Sequence, residues 1–192
     1  MNSIENNLKE ILQKIESAEQ KYNRTKGTVK LLAVSKFHPV DAVEKAISAG
    51  HLLFGENRVQ EAVAKFSDIN SFNKDVELHI IGQLQTNKVK KAVSVASCIE
   101  SVDRIDLLKE IQKQCEKINK KIKILFEVNT AEDSKSGFKN YEDLYEAVKY
   151  CADGNTPFVE PIGFMTMAPL TDDEALIRKS FSSLRKLSEK LQ

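Results

Sequence analysis

The segment Leu31-Leu32-Ala33-Val34-Ser35-Lys36 decides how the rest of this sequence is interpreted. It is a short apolar run that ends in a lysine, and Pro39 with a helical pattern follows at once. Such a run is typical of a buried strand. Because side chains alternate between the faces of a strand, Leu32, Val34 and Lys36 are expected on one face. The carboxyl ends of such strands carry the sites of α/β proteins, so Lys36 is a candidate functional residue.

The chemistry of Lys36 depends on its surroundings. A lysine held among apolar groups is pushed toward its neutral form, because burial disfavours the charged form. A neutral amine is nucleophilic and can form a Schiff base with an aldehyde. The alternative is that Lys36 simply extends into solvent at the end of the strand.

Outward from this segment, short apolar runs alternate with helical patterns. This alternation predicts a parallel sheet covered by helices, either as an open doubly wound sheet or as a barrel. The sequence contains neither a Gly-x-Gly-x-x-Gly nor a Walker-type phosphate loop, which weakens a nucleotide-binding interpretation. The predicted strands are residues 31–35, 52–55, 78–82, 98–102, 122–129 and 161–167.

Several predicted helices have recognisable ends. Pro39 and Gly50 bracket one helix, and Asn140 is the expected N-cap of another. The capping-box pattern Thr171-Asp172-Asp173-Glu174 precedes the last helix. Helical spacing also predicts a first, amphipathic helix and an inward-facing set of residues that includes Ile11, Leu12, Tyr22, Ile118 and Tyr145.

Composition bounds the class of protein. The 192 residues, 41% of them hydrophobic, are enough for one core, and a single domain spanning 1–192 is expected. The net charge of +1 gives no reason to expect a nucleic acid partner. No apolar stretch approaches the length needed to cross a membrane, and the polar first residues do not resemble a signal peptide. A cytoplasmic protein is expected.

The cysteines and histidines indicate no metal or disulfide framework. Cys98, Cys115 and Cys151 are odd in number, far apart and in apolar positions, which is typical of reduced thiols in a cytosolic protein. The three histidines show no metal-ligand spacing with any cysteine.

Three further residues near predicted strand ends are candidates. Asn57 could aim its amide into the strand-end face, or it could cap the next helix. His79 could act in catalysis, or it could be a hydrogen-bonded core residue. Met165 could pack against a flat ring, or it could fill the core.

Taken together, five ordered motifs resemble the pyridoxal 5'-phosphate (PLP) homeostasis protein family, from about Leu31 to the end of the chain. The combination is specific, whereas each motif alone would be weak. The motifs are Ala33-Val34-Ser35-Lys36, Phe54-Gly55-Glu56-Asn57, His79-Ile80-Ile81-Gly82, Ser134-Lys135-Ser136-Gly137 and Gly163-Phe164-Met165.

The resemblance implies an α/β fold, a TIM-type barrel similar to the N-terminal domain of alanine racemase. It implies that Lys36 holds PLP as a Schiff base (an internal aldimine), with Asn57, His79 and Met165 at or near the pocket. Family members are thought to bind PLP and to buffer it or deliver it to PLP-dependent apo-enzymes, which keeps vitamin B6 and amino and keto acids in balance. A non-catalytic carrier is therefore expected, monomeric if its barrel is complete.

The chain departs from the family pattern in two places. The loop between Asn129 and Ser134 looks about one residue short. The sequence also ends at Gln192, before the last two β/α units of the family, which supply the phosphate cup. A six-stranded barrel with unpaired edge strands is therefore expected, with weakened PLP affinity and possible association through those edges.

Two alternatives to a PLP carrier stay open. One is a PLP-dependent enzyme such as an amino-acid racemase, because fold alone does not fix the chemistry. The other is a barrel that has lost cofactor binding and serves as an interaction protein.

Overall fold

A computed structural model describes residues 3–130 and 136–191 of the chain. Six strands alternate with helices along these residues. The strands are β1 (Ala33–Val34), β2 (Leu53–Glu56), β3 (Glu77–Ile80), β4 (Cys98–Val102), β5 (Ile122–Glu127) and β6 (Val159–Met165). The α-helices are α1 (Ile4–Lys21), α2 (Val40–Ser48), α3 (Val59–Phe72), α4 (Val89–Val95), α5 (Ile105–Lys117), α6 (Tyr141–Ala152) and α7 (Glu174–Leu191), and a short 3-10 turn (Thr86–Lys88) precedes α4.

The strands form one parallel sheet in the order β1-β2-β3-β4-β5-β6. A doubly wound sheet reverses its strand order at a switch point, and this sheet does not. Because β-α-β crossovers are right-handed, strands that follow one another in chain order place their helices on the same side. The fold is therefore a six-stranded part of a TIM-type α/β barrel, as predicted, and the doubly wound alternative is wrong.

The hydrophobic core lies between the sheet and its helices. Parallel register aligns Ile80 with Ile99 and Ile99 with Ile124, all with no exposed surface. On the same face, the ring of Phe54 lies 5.7 Å from that of Phe66 on α3. Burying large apolar side chains in this way supplies most of the driving force for folding.

We call the side of the sheet that faces away from the helices and the core the lumen face. Register aligns Val34 with Gly55, Gly55 with His79, and His79 with Cys98 along this face. Val34 is 42% exposed, whereas Phe54 beside it on the core side is 1% exposed. This contrast shows that the helices cover only one side of the sheet near β1 and β2.

Each predicted strand matches an observed one to within two residues at both ends, and β4 has the predicted bounds. The sequence analysis gave no bounds for two of the observed helices, α3 and α4. As a result, α3 occupies the first half of a predicted loop at residues 70–75.

The predicted helix ends are partly confirmed. The Asn140 side chain accepts a hydrogen bond from the Asp143 backbone amide, and Gly50 has a φ of 86° just beyond α2. The predicted capping box is wrong, because α7 begins only at Glu174 and Asp173 caps it instead. The Asp173 carboxylate accepts from the backbone amides of Ala175 and Leu176.

Some residues predicted to face inward lie at the surface. Ile118 is 47% exposed because it is the C-cap of α5, where the chain leaves the helix. Tyr145 is 44% exposed and stacks on Tyr141 along the surface of α6. Further exceptions, all more than a third exposed, include three residues on or next to α1: Ile11, Leu12 and Tyr22.

The three cysteines are unpaired, as predicted: Cys98 and Cys115 are buried and Cys151 is partly buried. Burial raises the pKa of the Cys98 thiol to about 12. In residues 3–130 and 136–191, no helix combines the length and hydropathy required of a transmembrane span.

Candidate functional site at the carboxyl edge of the sheet

Lys36 lies in the turn that follows β1. Its side chain is exposed, and its Nζ lies 6.0 Å from the centroid of the Phe37 ring. The expectation of apolar surroundings for this amine is therefore wrong, and the nitrogen is open to solvent and to small molecules. Phe37 has a φ of 65°, in the left-handed region that non-glycine residues rarely adopt. A turn of this kind persists only where neighbouring groups hold it.

A buried polar cluster lies directly behind this turn. We call it the Lys65 cluster; its members are Ser35, Glu56, Glu61 and Lys65. Glu56 ends β2 and its side chain is fully buried, whereas the Lys65 side chain on α3 is 12% exposed. Lys65 Nζ and Ser35 Oγ both donate to Glu56 Oε1, at 2.8 and 2.7 Å.

The cluster holds both neighbours of Lys36. Lys65 Nζ donates to the backbone oxygen of Ser35 at 2.8 Å. The backbone amide of Phe37 donates to Glu61 Oε2 at 3.3 Å, and that oxygen lies 3.5 Å from Lys65 Nζ. Sequence reasoning gave Lys65 no role. The available signal was Glu56, since a carboxylate at the end of an apolar strand requires a charged partner when it is buried.

Gly55 allows two apolar side chains to pack closely beside the turn, where they form the floor of the site. A Cβ at Gly55 would lie 2.3 Å from Leu32 Cδ2 and 3.2 Å from Ile81 Cδ1, so these two apolar side chains lie across the glycine. They form an apolar surface on the lumen face one step inside the carboxyl edge. A larger residue in place of Gly55 would displace Leu32.

The backbone of Asn57 packs closely against a second glycine, Gly82. A Cβ at Gly82 would lie 2.4 Å from the backbone oxygen of Asn57, so only glycine permits the two loops to approach this closely. Asn57 is partly buried and borders a cavity of about 510 Å³ that Gln83, Gln85 and Lys88 also line. The alternative role of Asn57 as a helix cap is wrong, because Arg58 is the N-cap residue of α3.

His79 is paired on the lumen face. Its Nδ1 lies 2.5 Å from Glu100 Oε1 on the neighbouring strand, and its Nε2 lies 3.9 Å from Glu77 Oε2. The Nε2 atom is buried and has no hydrogen-bond partner among residues 3–130 and 136–191. His79 is thus a hydrogen-bonded residue, as one alternative held, and it faces the same side of the sheet as Gly55.

Met165 ends β6 beside a buried carboxyl group. Register pairs Met165 with Glu127, and the preceding Phe164 packs on Phe126 in the core, so Met165 alternates to the lumen face. Glu127 is 4% exposed and accepts a hydrogen bond from Ser136 Oγ at 2.6 Å. Burial raises the pKa of Glu127; the Ser136 bond opposes this rise, and the charge of Asp103 adds to it.

Glu127 was missed by sequence reasoning, although a charged residue inside a predicted apolar strand was the signal. Half of one predicted motif, Ser134-Lys135, lies outside the described residues. Its other half is described: a Cβ at Gly137 would lie 2.6 Å from the Asn129 backbone nitrogen, so this loop packs closely on the end of β5.

Glu127→Gln should stabilise the protein near pH 7 by more than about 0.5 kcal/mol, beyond the scatter of neutral surface changes. The folded state raises the pKa of this carboxyl from its ordinary 4.5, so the folded state binds the proton more tightly than the unfolded state. Stability is therefore lost as pH rises from 4.5 through the raised pKa. Glutamine carries no charge and still accepts from Ser136. Urea unfolding at pH 4 and pH 7 measures the difference.

Glu10→Gln is the matched control for that prediction. The Lys14 hydrogen bond and charge lower the pKa of Glu10, so its removal should give no stabilisation at pH 7. Equal gains at pH 4 and pH 7 for Glu127→Gln would contradict a titrating origin.

The four predicted site residues lie at or near the carboxyl edge of the sheet, three of them at the neighbouring strands β1, β2 and β3 and Met165 on β6, the outermost strand on the other side. Lys36, Asn57 and Met165 follow or end β1, β2 and β6, and His79 lies one step inside the edge on β3. In the part of the chain that the structure describes, no group of three or more histidine, cysteine or acidic side chains is arranged to hold a metal ion. Neighbouring strand ends therefore carry an exposed amine, Lys36, and a partly buried amide, Asn57, with the apolar side chains of Leu32 and Ile81 across Gly55.

Comparison with known protein families gives one consistent result. The family model for the alanine racemase N-terminal domain matches residues 3–192. The pyridoxal phosphate homeostasis protein of Aquifex aeolicus is 35% identical over 192 residues, which cover 100% of this chain and 82% of that protein. The protein of the same name from Pasteurella multocida is 36% identical, covering 99% of this chain and 81% of that protein.

Solved structures agree with the observed fold. A protein from Bifidobacterium adolescentis is 33% identical with a TM-score of 0.88, covering 96% of this chain and 77% of that one. PipY of Synechococcus elongatus PCC7942, solved with PLP bound, is 31% identical with a TM-score of 0.78, covering 92% of this chain and 81% of that one. A histidine racemase from Leuconostoc mesenteroides (18% identical, TM-score 0.70, 97% of this chain and 47% of that one) shares the fold. The predicted barrel of the alanine racemase N-terminal type is confirmed.

Proposed function

This chain belongs to the pyridoxal phosphate homeostasis protein family, and from that premise we propose that it binds PLP through Lys36 and contributes to balancing the supply of this cofactor. Relatives more than 30% identical over the whole chain carry the homeostasis name, and PipY was solved with PLP bound. The observation that carries the proposal is the exposed Lys36 amine, which lies at the carboxyl edge of β1 in a turn held from both sides.

PLP would supply an aldehyde and a flat, electron-poor ring. Lys36 Nζ, after losing a proton to solvent, would bond to the aldehyde carbon. Its two remaining N–H hydrogens would leave with the carbonyl oxygen as water, so that Lys36 would hold PLP as a Schiff base. Exposure of Lys36 suits this step, because both the proton and the water can reach solvent directly.

The residues around the turn fit the rest of a flat ligand. Leu32 and Ile81 would support a ring over Gly55, and the polarizable thioether of Met165 suits contact with a ring. Asn57 could donate its amide to a ring substituent. The His79–Glu100 pair would lie below the ring, where one imidazole nitrogen is already bonded to a carboxyl group.

A carrier role, without catalysis, completes the proposal. The relatives are named for homeostasis and not for a reaction. Holding PLP reversibly and releasing it to PLP-dependent apo-enzymes requires the lysine and a ring site but no proton donor placed on each face of a substrate. Resemblance to racemases below 20% identity concerns the fold alone.

The test is to add PLP to the protein, record its visible absorbance, reduce the mixture with borohydride and map the modified peptide by mass spectrometry. We expect a new visible band and one dominant modification, at Lys36. Pyridoxine phosphate, which has an alcohol in place of the aldehyde, is the matched ligand and should give neither. Modification spread evenly over exposed lysines, or no band at saturating PLP, would refute the proposal.

A further inference from the structure

We propose that Lys65 is a positioning residue for Lys36, and that the buried Lys65 cluster sets the turn from which the reactive amine projects. This inference rests on the proposed function of Lys36. It assigns to a residue 29 positions further along the chain a role in PLP binding that requires no contact with PLP.

Lys65 uses all its donors on this turn and on the residues that support it. An ammonium group has three N–H donors. The Lys65 ammonium has three acceptors within 3.5 Å: the Ser35 backbone oxygen, Glu56 Oε1 and Glu61 Oε2. Lys65 therefore links the end of β1, the end of β2 and the first turns of α3.

Both residues that flank Lys36 are fixed by hydrogen bonds, whereas the Lys36 side chain is not. Ser35 is held through its hydroxyl and its carbonyl oxygen, and Phe37 through its amide. The backbone amide of His38 closes the turn by donating to the same Ser35 oxygen that Lys65 binds, at 3.1 Å. The side chain between them is exposed. This arrangement fixes the direction of the Lys36 Cα–Cβ bond and leaves the amine accessible.

The charged pair Lys65–Glu56 has a physical reason to lie behind this turn. Burying a lysine and a glutamate loses their hydration, so such a pair adds little net stability compared with apolar residues of the same size. In addition, Glu56 Oε2 is buried without a hydrogen-bond partner among the described residues. What the pair does supply is directional bonds to a backbone oxygen, which apolar side chains cannot give. The strained φ of Phe37 is the feature that such bonds maintain.

The experiment compares wild type with Lys65→Met, Lys65→Arg and Glu61→Ala. Lys65→Met removes every donor; we expect its PLP affinity to fall by 10-fold or more. Lys65→Arg keeps the charge but has a planar donor geometry, so about a threefold loss is expected. Glu61→Ala releases the Phe37 amide and removes the longest Lys65 contact, at 3.5 Å, but keeps the Lys65–Glu56 pair at 2.8 Å. It should fold normally and lose about 3-fold to 10-fold in PLP affinity.

Lys14→Met is the matched control, because Lys14 makes an exposed ion pair with Glu10 at a similar 2.7 Å. It should leave PLP affinity unchanged. A second measurement, made without PLP, is hydrogen exchange of the His38 backbone amide. Its acceptor is the Ser35 backbone oxygen, which is present in all these variants. We expect at least about 10-fold faster exchange in Glu61→Ala and Lys65→Met, and no change in Lys14→Met.

The outcomes separate this inference from the proposed function. If wild type traps PLP at Lys36 but Glu61→Ala matches it in affinity and in His38 exchange, the positioning role is wrong and the Lys36 assignment stands. If wild type does not trap PLP at Lys36, the proposed function fails, and with it a role in PLP binding for Lys65. If Lys65→Met does not fold, Glu61→Ala and Lys65→Arg decide the question.

Discussion

The Lys36→Ala protein should show no visible band on addition of PLP and no borohydride-trapped adduct. A methyl group cannot attack an aldehyde, and the covalent bond is expected to supply most of the affinity. We expect apparent affinity to fall by about 100-fold or more, which equals roughly 2.8 kcal/mol at 1.4 kcal/mol for each factor of ten. Absorbance titration and mass spectrometry measure the loss.

Stability should be almost unaffected by Lys36→Ala, since the side chain is exposed and surface changes of this kind stay within about 0.5 kcal/mol. Lys45→Ala, an exposed lysine on the neighbouring helix α2, is the matched control and should keep full PLP binding. A Lys36→Ala protein that retained the visible band would show that another amine holds PLP.

Phe54→Ala should destabilise the protein by about 3–5 kcal/mol. Phe54 is 1% exposed, and its ring contacts His51 edge-on and Phe66 of α3. Truncation removes this buried surface and leaves a cavity in a core that collapses only partly. At roughly 2–4 °C per kcal/mol for a protein of this size, Tm should fall by about 6–20 °C. Thermal and urea unfolding measure both quantities.

Phe54 also precedes Gly55, Glu56 and Asn57, so a shift of β2 would disturb the site as well as the core. The control is Phe181→Ala on α7, whose ring is 52% exposed and whose loss should cost well under half as much. A Phe54→Ala protein as stable as Phe181→Ala would mean that the core does not pack around β2 as described.

The local pattern of the fold was predictable from sequence for a physical reason. Apolar runs, helix ends and turn glycines act over a few residues, and these signals placed all six strands within two residues of their observed ends. Predictions of helix ends and of buried residues were wrong where a local sequence pattern is compatible with two structures. The Thr171 capping box and the inward face of Tyr145 each satisfied helical spacing, but the position of the helix start and the packing of the neighbours decided otherwise.

The candidate site was predictable only in part. Lys36, Asn57, His79 and Met165 were singled out because each is an unusual residue at or near a strand end. The residues that contact these four were not predicted. Lys65 donates a hydrogen bond to Ser35, 30 positions earlier in the chain, and Glu127 pairs with Met165 from another strand. Such pairings depend on register between strands and on which helix covers which strand.

By itself, the sequence determined a β/α repeat, a lysine after the first strand and the family to which the chain belongs, because these features depend on residue type and short-range order. Only the tertiary structure decided that the strands lie in chain order and that Lys36 is exposed. It also decided that the Lys65 ammonium group donates a hydrogen bond to the turn around Lys36. Those facts depend on contacts between distant residues, whose geometry is set by packing the whole sheet against its helices.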